Sequence, residues 1–75
     1  MTAERKSAVL FHSTNHAIWT AKLLKKRGIR HKMISVPRHL SSDCGYCVEI
    51  LSDDEVFVEG ILKENGVEYE RIEAL

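Results

Sequence analysis

Cys44 and Cys47 stand three residues apart in Pro37-Arg38-His39-Leu40-Ser41-Ser42-Asp43-Cys44-Gly45-Tyr46-Cys47. This is the longest run of the chain without clear helical or strand periodicity, and it holds both cysteines and the only proline. The chemistry such residues support is that of sulfur. A free cysteine is mostly thiol at neutral pH, whereas a helix N-terminus and nearby cations favour the nucleophilic thiolate. Cys44 has Arg38, His39, Ser41 and Ser42 within a few residues, and Gly45 beside it leaves the sulfur open and permits unusual backbone angles. On spacing alone, a loop cysteine of ordinary reactivity is the simpler reading, because perturbed sites are a minority.

Three further readings of the cysteines stay open. Cys44-Gly45-Tyr46-Cys47 is a Cys-x-x-Cys, so Cys47 is a candidate resolving thiol in a dithiol redox pair. Thioredoxin-type pairs open a helix, however, and this one runs into a strand; Cys47 as a small hydrophobe on the sheet is the plain alternative. Zinc would need Cys44, Cys47, His39 and His16 together. With one Cys-x-x-Cys and scattered histidines, a second close ligand pair is missing, so no metal and no other cofactor is expected, with a metal bridging two subunits left open. No phosphate-binding loop, paired-carboxylate constellation or Ser-His-Asp arrangement stands out.

The elements that must position Cys44 can be read in order. Ala8-Val9-Leu10-Phe11 is an apolar run of strand length. Ser13 or Thr14 can cap a helix from Asn15 to Arg27, along which Ala17, Ala21 and Leu24 recur at helical spacing. Lys22, Lys25, Lys26 and Arg27 suit its C-terminal dipole, and Gly28 closes it. Lys32 to Val36 reads as a second strand ended by Pro37. Tyr46 to Leu51 reads as a third, with Tyr46, Val48 and Ile50 on one face and Cys47, Glu49 and Leu51 on the other. Ser52-Asp53-Asp54-Glu55 reads as a capping box, with Ser52 and Glu55 satisfying each other's backbone donors. The helix it opens carries Val58, Ile61 and Leu62 to about Asn65, with Gly66 as its stop. Val67 to Ile72 reads as a fourth strand.

This order predicts one ferredoxin-like α+β domain over residues 1–75, with an ordered core of about 7–73. Its βαββαβ sandwich would have a four-stranded antiparallel sheet and two helices on one face. Leu23 to Ile29 and Ile61 to Val67 echo each other, as a pseudo-twofold duplication would. In this fold the end of strand one, the start of helix one and the loop between strands two and three share one end of the molecule. His12, Ser13, Thr14, Asn15 and His16 are therefore expected near Arg38, His39 and Cys44.

Composition bounds the partners. The 75 residues are 44% hydrophobic and 29% charged, with zero formal net charge. That argues against a nucleic-acid binder held by phosphate contacts. No apolar run approaches a membrane span, and the mixed-charge start does not read as a signal peptide, so a cytoplasmic location is expected. Val9, Phe11, Met33, Cys47, Leu51 and Tyr69 are candidates for the sheet face opposite the helices. Leaving that face wet is costly, so a homodimer or protein partner through it is expected. Trp19 and Leu23, four apart on helix one, read as a packed flank, with a partner patch as the alternative.

The chain resembles a group of small prokaryotic domains described as selenium/sulfur carrier-like. The resemblance runs from Ala8 to about Ile72. It rests on Phe11-His12-Ser13-Thr14-Asn15-His16-Ala17 and on Val36-Pro37-Arg38-His39-Leu40-Ser41-Ser42-Asp43-Cys44-Gly45. It implies a cysteine, here Cys44, that holds sulfur or selenium as a persulfide or selenosulfide and passes it between a protein donor and a protein acceptor. Arg38, His16 and the helix amides would steady the charged sulfur. Such a protein is a carrier rather than an enzyme with its own turnover. Cys47 lies outside the family pattern, and the Cys-Pro-x-Pro motif of other sulfur-transfer proteins is absent. The rivals are a dimeric, non-catalytic interaction or regulatory module, with Cys44 incidental, and the Cys44/Cys47 dithiol protein.

Overall fold

The computed structural model describes residues 4–40 and 44–75. Its elements are β1 (Lys6–Leu10), α1 (Thr14–Lys26), β2 (His31–Ser35), β3 (Tyr46–Leu51), a single 3₁₀ turn (Ser52–Asp54), α2 (Glu55–Glu64) and β4 (Arg71–Ala74). The strands form one sheet in the order β2-β3-β1-β4, with every neighbouring pair antiparallel. β3 thus lies between β1 and the edge strand β2, and the fold is the ferredoxin-like βαββαβ arrangement. No helix among the described residues is long and apolar enough to cross a membrane.

Both helices end the same way. After α1, Gly28 adopts φ 70°, its N–H donates to the Lys25 carbonyl, and the Ile29 N–H donates to the Leu24 carbonyl. After α2, Gly66 adopts φ 69°, its N–H donates to the Lys63 carbonyl, and the Val67 N–H donates to the Leu62 carbonyl. This is the Schellman motif twice over, with the residue past the glycine folded back onto the apolar side of its helix. Leu24, Ile29, Leu62 and Val67 all join one core. The internal echo of the sequence is this shared motif. It also moves the last strand: Val67 belongs to the end of α2, and β4 starts only at Arg71.

The start of α2 differs from the capping box expected there. Its N-cap is Asp54, which makes no side-chain cap bond. The Ser52 hydroxyl instead meets that of Ser7 at 2.7 Å, tying the end of β3 to β1.

The main core lies between sheet and helices, where Val9, Val48 and Ile50 meet Ala17, Leu24, Val58, Ile61 and Leu62. Phe11, Met33 and Tyr69 join this side, so three more of the residues expected on the opposite face lie with Val9 beneath the helices. The opposite face centres on Ala8, Leu10 and Cys47, each with no exposed surface. They are covered from within the chain: Ile34, Val36 and, from the loop after β2, Leu40 lie against them.

Candidate functional site

The site is built where β1 hands over to α1. Ser13, extended at φ −137° and ψ 137°, is the N-cap of α1, and its hydroxyl accepts the Asn15 N–H at 3.2 Å. The Ser13 carbonyl accepts the N–H groups of His16 and Ala17. Thr14 is therefore the first helical residue, with its side chain at the positive end of the helix dipole. Its Oγ1 lies 3.4 Å from Cys44 Sγ, a hydrogen-bonding contact between residues thirty apart in the chain.

The loop brings Cys44 there in two steps. Pro37 starts a turn in which its carbonyl accepts the Leu40 N–H at 2.9 Å, and Leu40 then packs on the open sheet face. On the return, the Gly45 carbonyl accepts the Val36 N–H at 3.0 Å, extending the β2-β3 ladder past Ser35 and Tyr46. Gly45 sits at φ 79°, the left-handed region that side chains with a Cβ avoid. That conformation turns the chain so that Cys44 packs against the helix-side core while staying half-buried.

Of the residues singled out in the sequence, Thr14 and Cys44 come together, with Ser13 beside them as cap. His16 turns its ring to Trp19, with centroids 6.4 Å apart. Its Nδ1 is buried and without a hydrogen-bond partner among the described residues. Arg38 and His39 are exposed in the turn after Pro37. Ser41 and Ser42 lie outside the described residues.

Cys47 goes elsewhere. It packs on the opposite sheet face, fully buried, and no disulfide joins it to Cys44. Burial pushes the Cys47 thiol above its ordinary range, and the negative charges of Glu49 and of an ionised Cys44 add to that. Among the described residues, no three His, Cys, Asp or Glu side chains converge as metal ligands. Leu40, the plug of the open face, carries one faint sequence signal, an apolar residue four positions after Val36 in a polar loop.

A family model described as "Putative Se/S carrier protein-like" matches residues 6–73, which spans both strand-helix-strand units and the Cys44 loop. The chain belongs to this Se/S carrier family. No curated protein and no solved structure matches it significantly. Membership draws attention to the half-buried thiol that the fold sets at a helix N-terminus, and it implies protein partners for it.

Proposed function

We propose that the protein carries sulfur or selenium on Cys44 and passes it between protein partners. The observation that carries the reading is the Thr14–Cys44 contact at the first turn of α1. Helix N-termini favour anions, and the Thr14 hydroxyl can donate to an ionised sulfur. Half-burial limits stray reactions while leaving the sulfur within reach of a docked donor.

Loading needs no redox partner. The Cys44 thiolate attacks the outer sulfur of a donor persulfide, R–S–SH. The new S–S bond forms at Cys44, the donor's S–S bond breaks, and the donor leaves as R–S⁻, giving Cys44–S–SH. Unloading is the same exchange onto an acceptor thiolate. With selenium, the atom passed is selenium and the carried group is a selenosulfide. In this reading Arg38 meets the charged donor, and the α1 amides steady the carried anion. The burial of Cys47 favours this single-thiol scheme over a Cys44/Cys47 couple. A free-thiol carrier suits the reducing cytoplasm.

The test is transfer itself. Reduced protein incubated with a cysteine persulfide donor should gain the mass of one sulfur atom on the Cys44 peptide. A reductant should remove it, and Cys44→Ser should not acquire it. Cys47→Ser should load normally. Absence of any adduct on Cys44 would leave the thiol incidental and the protein an interaction module.

A further inference from the structure

The charges of this chain are sorted by position. From Arg5 to Val48 the only acidic residue is Asp43, and from Glu49 onward the only cations are Lys63 and Arg71. The fold turns that sorting into two neighbouring helices of opposite sign on one layer. The outward stripe of α1, opposite buried Ala17, Thr20 and Leu24, runs Asn15, Trp19, Lys22 and Lys26. The outward stripe of α2, opposite buried Val58, Ile61 and Leu62, runs Val56, Gly60 and Lys63, with Asp53, Asp54 and Glu55 at its start.

The layer is apolar where it should be wet. Trp19 is 41% exposed, Phe57 58% and Val56 87%. Arg27 pairs with Glu64, and Lys63 with Glu59. The ion pairs among the described residues use none of Lys22, Lys26, Asp53 and Asp54. Gly60 is a further oddity. A glycine in a helix interior costs about 1 kcal/mol against alanine, yet a Cβ there would meet nothing within 4 Å. No contact among the described residues requires its small size.

We propose that the helix layer is the interface of a two-fold dimer of this chain, in which α1 of each protomer lies antiparallel on α2 of its partner. The complement of each patch is present on the chain itself, which is what an isologous interface requires. The spacing fits as well. α1 and α2 run in opposite directions along the sheet, because α1 leaves the end where Leu10 pairs with Arg71 and α2 returns to it. A two-fold axis along the helices then lays Trp19 of one protomer over Gly60 of the other. Lys26 stands two turns beyond Trp19, and the 3₁₀ turn that holds Asp53 and Asp54 leads into α2 ahead of Gly60, so the same antiparallel register brings Lys26 to that acidic turn. The absent side chain at Gly60 is the seat for the indole, and aromatic anchors are the usual centre of such contacts. The proposal does not rest on the carrier reading.

Sedimentation equilibrium tests it at micromolar concentration. The wild-type chain is expected to be a dimer that weakens with added salt. A Lys22→Glu/Lys26→Glu variant and an Asp53→Lys/Asp54→Lys variant should each dimerise about a hundredfold more weakly, since like charges then face each other twice. Mixed in equal amounts, the two should re-form a dimer, because every α1–α2 contact in the heterodimer is again of opposite sign. Gly60→Leu should weaken the wild-type dimer without loss of helical circular dichroism. A monomeric wild-type protein, charge-reversed variants that stay dimeric alone, or a mixture that stays monomeric would each overturn the proposal.

Discussion

Thr14 and Cys44, thirty residues apart, meet side chain to side chain at 3.4 Å, and that contact joins the β2-β3 loop to the N-terminus of α1. When the sulfur is ionised, the threonine is the donor of this pair. Thr14→Val keeps the shape and removes the donor. One hydrogen bond of this kind contributes about 0.5–1.5 kcal/mol, so alkylation of Cys44 at neutral pH should slow roughly two- to tenfold. Peptide-resolved iodoacetamide kinetics measure this, with Cys47 as the internal control. An unchanged Cys44 rate would show that the contact does not assist the sulfur.

Cys47 should behave in the opposite way. Its thiol is held above the ordinary range by burial first, then by Glu49 and Cys44, so the folded protein keeps that proton at a pH where the unfolded chain releases it. Such a group contributes stability below the unfolded thiol value, and that stability is lost as the pH rises through the folded one. Tyr69, raised by burial and by Glu59, and Lys63, raised by Glu59, act in the same direction. Comparison with Cys47→Ala therefore isolates the thiol. From about pH 8.5, the ordinary free-thiol value, upward, the urea midpoint of the wild type should fall more steeply than that of Cys47→Ala. Parallel curves would mean that Cys47 titrates alike in both states.

Two glycines should respond to alanine with opposite signs. Gly45 sits at φ 79°, so Gly45→Ala should cost about 1–2 kcal/mol, the strain of a left-handed residue with a Cβ. Gly60 is helical and open, so within one chain Gly60→Ala should stabilise by about 1 kcal/mol. Urea unfolding at a concentration low enough to keep the chain monomeric measures both. If both changes destabilise, Gly60 has a close neighbour in solution.

Much of this was legible in the residues, and the failures have physical causes. Ser13, Gly28, Gly66 and the alternation of β3 are local signals, and they marked the elements and their order. The meeting of Thr14 with Cys44 followed from that order, because a right-handed crossover puts the start of α1 and the β2-β3 loop at one end. Which sheet face met the helices did not follow. Ala8 to Phe11 is apolar without a break, so β1 carries no alternation to say that Val9 faces α1 while Leu10 faces away. Ser52 reads as a local cap because its partner, Ser7, is forty-five positions away. Leu40 was invisible as a core residue because it lies in a loop, and its burial depends on where the Pro37 turn sends it.

Thr20 offers a test of the core itself. It is fully buried on α1, and its hydroxyl has no hydrogen-bond partner among the described residues. A buried hydroxyl stripped of water and left without a partner costs roughly 1–3 kcal/mol. Thr20→Val exchanges that hydroxyl for a methyl of nearly the same size and keeps the β-branch that the site already accommodates. The variant should therefore gain about 1 kcal/mol, read as a higher urea midpoint at an unchanged slope. A lower midpoint would show that the hydroxyl is bonded in solution, as a helical threonine can be to a carbonyl one turn back.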